Sequence, residues 1–312
     1  MSLSLDKQLA YLRLARSAHI GSVTYQRLMR VYRDPDAALA ALPDLSRRGG
    51  GKRVLKPFSL SKAKQEYAAT EKLGGQYLFW GEAGYPAMLA PLPDAPPVLA
   101  AHETSLARGT IAVICNGVAH SYPEENAELQ QRIIEQGLLL AENPPDTAPQ
   151  ANLFPRRNRI IAGLSLGVIV VEAARRSGSL ITARLAGEYG REVFAVPGSP
   201  LDARCLGSNN LLREGAVLTE TVEDVMAELR PIMERQNMSA REAAPFIEKR
   251  RPPEITDTER QAIIDLLGPV PMRIDDLVEQ SAAPVQVVHL VVLELDLSGR
   301  LTQEPGGLIS LI

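Results

Sequence analysis

The run Phe154-Pro155-Arg156-Arg157-Asn158-Arg159 crowds three guanidinium groups around one asparagine. A guanidinium fork matches phosphate oxygens two at a time and can also stack on a base. We expect this run to be a loop that leads into a helix starting at Asn158. Ser177-Gly178-Ser179 precedes a second helical stretch. Its hydroxyls, backbone amides and helix N-terminus suit an anion, although the same residues would also make an ordinary helix cap. Arg204, Gly207, Ser208 and Asn209 are expected to extend this surface. The chemistry these groups share is phosphate recognition.

No reaction is specified. His19, His102, His120 and His289 are scattered, without HExxH spacing. No GxSxG elbow is present. Glu142, Asp146 and Glu172 are expected near the arginines, where carboxylates more often orient guanidinium groups than act as bases. Cys115 and Cys205 stand far apart without CxxC spacing, which argues against a disulfide framework or a zinc site and for a reducing compartment. No leader pattern opens the chain, and no apolar run approaches the ~18–20 residues of a membrane span. The chain reads as cytoplasmic.

The net charge of −3 hides a pattern. Residues 151–215 carry nine basic side chains, all arginine, against five acidic ones, whereas residues 216–312 are strongly acidic. A phosphate backbone responds to local basic surface rather than to the total.

These residues need elements to hold them. From Thr110 onward, short apolar runs alternate with helical stretches: 110–115, 138–140, 168–171 and 192–196. That alternation is the mark of a parallel sheet covered on both faces, a doubly wound Rossmann-like α/β layer. Ligands then bind beyond the carboxyl ends of the strands, where the loops above lie. Residues 1–75 read as a helical module with a Gly turn at His19-Ile20-Gly21-Ser22, of SAM or helix-hairpin-helix type, or a plain bundle. Residues 47–56 read as a basic Gly-rich loop, and 84–97 as a Pro-rich connector. The expected division is 1–75 helical, 76–229 Rossmann-like, 230–253 linker and 254–312 winged helix. The last rests on three helices (256–267, 273–280, 284–297) and two strands flanking Pro305-Gly306-Gly307.

At this point the sequence resembles a known family. YPAML and DAPPVL at 85–99, TIAVICNGVAHSYPEEN at 110–126, FPRRNRIIAGLSLGVIVVEAARRSGSLITARLAGEYGREVFAVPGSP at 154–200 and GSNNLLREGA at 207–216 are similar to the DNA-processing protein A (DprA, or Smf) family. The resemblance implies a binder of single-stranded DNA that shields the strand and helps load the RecA recombinase in natural transformation. It also implies a homodimer formed through the Rossmann-like domain, no cofactor, no metal and no enzymatic activity. On the matching motifs, the expected DNA- and phosphate-binding residues are Arg156, Arg157, Asn158, Arg159, Ser177, Gly178, Ser179, Thr182, Tyr122, Asn126, Arg204 and Asn209. A Rossmann-type enzyme acting on a nucleotide or nucleoside phosphate is the alternative, because the same loops would hold a small phosphate.

Two family motifs are missing, a Gly-Ser-Arg on the first Rossmann strand and a Ser-Gly-x-Ala-x-Gly-Ile-Asp loop after the second. Both belong between Leu99-Ala100 and Ala101-His102. A βαβ unit of ~30 residues or more is therefore lacking. We expect the protein to carry it, because its loss would bare an apolar edge beside the strand at 111–115. An intact mass equal to 33.9 kDa would exclude that. Glu124 follows Tyr122-Pro123 where relatives often carry a basic residue, which removes one phosphate contact. The stretch 284–297 has no Lys or Arg. It is expected to contact protein, either another copy or the rest of the chain, rather than the groove of duplex DNA.

Overall fold

The computed structural model describes residues 3–50, 54–103, 109–239, 253, 255–304 and 308–312. In chain order the helices and strands are α1 (Leu5–Arg16), α2 (Ser22–Tyr32), α3 (Pro35–Arg48), α4 (Leu60–Lys72), β1 (Gly75–Phe79), β2 (Val98–His102), β3 (Ile111–Ile114), α5 (Ala127–Gln136), β4 (Leu138–Ala141), α6 (Leu153–Leu164), β5 (Gly167–Val170), α7 (Ser179–Glu188), β6 (Glu192–Ala195), α8 (Leu206–Arg213), β7 (Val217–Leu218), α9 (Val222–Ser239), α10 (Asp257–Leu266), β8 (Met272–Arg273), α11 (Ile274–Ser281), α12 (Val285–Leu297), β9 (Leu301–Glu304) and β10 (Leu308–Leu311). They form two compact units, one from Met1–Ala68 with Ile247–Ile312, the other from Ala69–Phe246. Residues 51–53 of the basic loop, 240–252 of the expected linker and the turn at 305–307 lie outside the described residues. The start of that linker is helical, as α9 continues through Pro231 to Ser239.

The first unit joins the two ends of the chain. Helices α1 to α3 pack through Leu9, Leu12, Leu14, Tyr25, Leu28, Leu39, Leu42 and Leu45, all buried. Asp34 caps α3 by accepting from the Ala37 amide, and Pro35 sits in its first turn, where it costs no hydrogen bond. In the winged helix, Thr256 and Glu259 form a capping box at the start of α10. The strands follow the order β8-β10-β9. Ile263, Leu277, Val288, Val291, Val292, Leu295 and Ile309 make its core.

Helix α12 is buried on its other side too. Leu290, Leu293, Glu294 and Leu297 are all inaccessible, and that side meets α2 and α3. Thr24 donates to Asp296 (2.8 Å), and Arg27 stands 3.8 Å from the same carboxylate. A β-carbon at Gly49 would collide with the Glu294 carbonyl, so only glycine lets the end of α3 approach this closely. Burial lowers the pKa of His289, with Arg27 and Arg30 adding to the effect and Asp275 opposing it. The protein contact expected for this helix is with the chain's own N-terminal helices.

The second unit is α/β, with parallel pairing at β3–β4 and through β5-β6-β7. Its strands lie in two sheets rather than one doubly wound layer. The first has the order β1-β2-β4-β3 and is mixed, because β2 runs antiparallel to both β1 and β4. The second has the order β5-β6-β7. The physical reason lies at residues 100–101. Ala100 and Ala101 are neighbours in one continuous strand, β2, and the extra βαβ unit expected between them is not in the sequence. Leu89, Leu92, Leu99, Val113, Leu140 and Ile160 pack the first sheet against α6. Val170, Ala173 and Ala183, with Val193 and Leu211, pack the second. The segment at 84–97 is a series of turns, as its prolines require. Among the described residues, no helix is long and apolar enough to cross a membrane.

Candidate nucleic-acid interface

The arginine run is helical rather than a loop. Helix α6 starts at Leu153, so Phe154 to Arg159 form its first two turns. Pro155 falls in the first turn, where its missing N–H has no partner to lose. The helix separates the arginines by face. Arg156 is exposed. Arg157 turns inward, donating from Nη1 to the Val113 carbonyl (2.7 Å) and from Nε to Asn158 Oδ1 (3.2 Å). Arg159 is clasped by the Glu142 carboxylate and the Asp94 carbonyl, and its side chain is 14% exposed. Asp94 is itself fixed by the Tyr189 hydroxyl. Burial, followed by the hydrogen bond to Asp94, raises the Tyr189 pKa and keeps that donor protonated.

An aromatic stack lies against this helix. The Tyr122 ring meets Phe154 edge to face at 5.8 Å, and the Arg157 guanidinium covers the Phe154 ring at 5.9 Å. Tyr122 is 57% exposed. Asn126 is exposed in the short turn that follows.

The second cluster sits after β5. The Ser177 and Ser179 hydroxyls share a hydrogen bond (2.7 Å) at the N-terminus of α7, with Gly178 between them and exposed. Thr182 is half-buried one turn on. Arg175 and Arg176, both exposed, precede them. They were not among the expected contacts, yet their places beside Ser177 could have marked them. Arg204 donates to Asp202 (2.8 Å) and lies 3.5 Å from Glu172. The Arg204 hydrogen bond to Asp202 raises the arginine pKa and lowers that of Asp202. Of the acids expected near the arginines, Glu142 holds Arg159 and Glu172 lies 3.5 Å from Arg204, whereas Asp146 meets His120 through its backbone carbonyl. Glu172, Asp202 and Cys205 bring ligand atoms within 4.8 Å of one another, but Arg204 already supplies the cation there. Asn209 is spent on structure. Its amide donates to the Gly198 carbonyl (2.9 Å) and accepts from the Gly198 amide (3.0 Å), which ties down the loop after β6. Helices α6 and α7, which carry the two clusters, pack directly on each other.

The arrangement offers an open, stacked and cationic surface. A groove of about 510 Å³ in this unit lies elsewhere, over α7, β6 and α8, with Ala183, Val193 and Leu211 at its floor.

Comparison with known proteins gives a consistent result. Residues 99–230 match the model described as DNA recombination-mediator protein A. Residues 6–69 match a DprA-like N-terminal HHH domain, and 247–307 a DprA winged helix domain. The chain is 51% identical over 130 residues to the DNA processing protein DprA of Bacillus subtilis, covering 41% of this chain and 44% of that one. It is 39% identical over 213 residues to protein Smf of Escherichia coli, covering 65% and 53%. It therefore spans about half the length of these curated relatives. The structure is similar to the X-ray structure of DprA from Streptococcus pneumoniae, with a TM-score of 0.57 and 26% identity, over 73% of this chain and 99% of that one. With its helical, α/β and winged-helix parts all matched in order, the chain belongs to the DprA family of DNA recombination-mediator proteins.

Proposed function

We propose that this protein is a non-catalytic binder of single-stranded DNA. It protects the strand and hands it to the RecA recombinase in transformation and recombination, acting in the cytoplasm as a homodimer of the α/β unit. The observation that carries this reading is the exposed Tyr122 ring set against the half-buried Phe154 and Arg157, beside the exposed Arg156. Aromatic and guanidinium faces with nearby cations suit unstacked bases on a continuous backbone. A nucleotide-processing enzyme would instead enclose its substrate, whereas Tyr122 and Arg156 stand open to solvent. Arg156, Arg175, Arg176 and Ser177 to Ser179 supply the phosphate contacts. Arg157, Arg159 and Asn209 support the surface from beneath.

Fluorescence anisotropy with a labelled oligonucleotide at two salt concentrations tests the reading. Single strands should bind far more tightly than duplex or mononucleotides. Arg156→Ala should weaken binding and reduce the salt slope by about 0.7, the value for one phosphate contact on a single strand. Equal affinity for a mononucleotide and a long oligonucleotide would favour the enzyme reading instead.

A further inference from the structure

The basic stretch at 47–56 has no part in the surface described above. It carries five basic side chains and no acidic one. The winged helix adds a sixth at the same place. Helix α3 ends at Arg48, and Gly49 and Gly50 follow as a turn. Arg300, the residue before β9, donates from Nη1 to the Gly49 carbonyl (3.3 Å). Gly50 has a φ of +80°, and a β-carbon there would lie 3.1 Å from Arg300 Nη1, so glycine lets the guanidinium lie across the turn. At Leu55 the chain is back against α3, where its amide donates to Ser46 Oγ (3.0 Å) and sets Lys56 beside the end of that helix.

Arg48, Lys56 and Arg300 are all exposed. Among the described residues, no carboxylate pairs with any of them. Asp44 is held by Arg47, Glu294 is buried against Arg260, and Asp296 is taken by Thr24 and Arg27. Arg300 is also fixed in place. Its amide donates to the Leu295 carbonyl, and its own carbonyl accepts from the Ile312 amide (both 3.0 Å). With Nη1 on Gly49, its Nε and Nη2 remain as donors for a phosphate.

We propose that the end of α3 and the start of β9 form a second DNA-backbone site, in which Arg48, Lys56 and Arg300 hold phosphodiester groups without reading the bases. This rests on the DNA-binding reading above and adds a site of a different kind. None of the exposed large apolar side chains described in this unit is aromatic, so the corner offers no ring on which a base could stack. Helix α12 is buried and cannot enter a groove. What remains is charge and donors, which grip a phosphate backbone whatever its sequence and whether it is single or double. The α/β surface instead suits unstacked bases, so a duplex probe isolates the corner.

Fluorescence anisotropy of the full chain with a labelled DNA duplex provides the test. The native protein should bind it weakly and with a clear salt dependence. Arg48→Glu combined with Arg300→Glu should weaken duplex binding about 10-fold or more and flatten its salt slope by about 1.8, or about 0.9 for each lost contact. A long single strand should lose about 1.4 in slope, or about 0.7 for each, while a short oligonucleotide that covers only the α/β surface should bind as before. Arg48→Lys with Arg300→Lys keeps the charges and should retain most of the duplex affinity, which separates lost charge from lost folding. Arg273→Glu makes a reversal on β8, at the other edge of the sheet from β9, and should change nothing. Duplex binding that survives the double reversal, or that falls as far with Arg273→Glu, overturns the corner, and so does a native protein that binds no duplex. Failure of the single-strand reading would show separately, as indifference of a short oligonucleotide to Tyr122→Ala and Arg156→Ala, neither of which lies in this unit.

Discussion

Replacing Arg260 with alanine should destabilise the unit formed by the chain ends by about 3–5 kcal/mol, the usual result of leaving a buried charge unpaired. Glu294 lies in the middle of α12 with its side chain 1% exposed, and Arg260 reaches it from α10 with Nε 2.8 Å from Oε2. A second, longer bond of 3.5 Å makes the contact two-pronged. The Glu294 hydrogen bond is the first cause of the raised Arg260 pKa. Asp257 touches the same guanidinium from solvent and adds little. In urea, the helical circular dichroism should lose an early fraction of its signal. The single tryptophan, Trp80, belongs to the other unit and should keep its transition. Adding Glu294→Leu to the Arg260→Ala background should recover most of the loss, because the stranded charge is gone. A loss below about 1 kcal/mol would mean that Glu294 finds water once Arg260 is removed.

The second large effect is on DNA. Tyr122→Ala and Phe154→Ala should each weaken single-strand binding by about 1–3 kcal/mol, or about 5- to 150-fold, the range for one base losing its stacking platform. Tyr122→Phe should bind almost as well as the native protein, since the ring and not the hydroxyl makes the contact. Phe154→Ala carries a further loss, because Arg157 would lose the ring it covers. Arg159→Ala gives a contrast. Its guanidinium is held by Glu142 and Asp94, so its removal should lower the unfolding midpoint more than the affinity. Oligonucleotide affinity that is indifferent to both ring deletions would move the site off α6.

Periodic patterns carried most of the elements, because helices and strands are local. The three helices of the winged fold start and stop close to where their apolar spacing and caps place them. Phe154 to Arg159 misled for a local reason as well, since a proline with three arginines reads as a break, yet proline is at home in a first helical turn. Helix α8 was hidden by its glycine, serine and asparagines, which favour turns in isolation and here pack against the backbone after β5. There the Gly207 amide donates to Ala173 (2.7 Å). Pairing between distant strands was not legible at all. Nothing local in Val98–His102 says that this strand runs antiparallel to both neighbours. The site was legible as chemistry but not as a division of labour. Which arginine meets solvent and which meets Glu142 depends on tertiary contacts that residue types alone do not encode.

The burial of α12 under α2 and α3 has a consequence for synthesis. The N-terminal helices leave the ribosome first, but the surface they need comes last. Until Leu290, Leu293 and Leu297 have been made, the matching faces of α2 and α3 have nothing to cover them, while the intervening α/β unit already has its own core. The middle of this chain should therefore fold ahead of its beginning, against the usual N-to-C order. A nascent chain truncated before α12 should expose its first helices to chaperones and proteases while its DNA-binding surface is already formed.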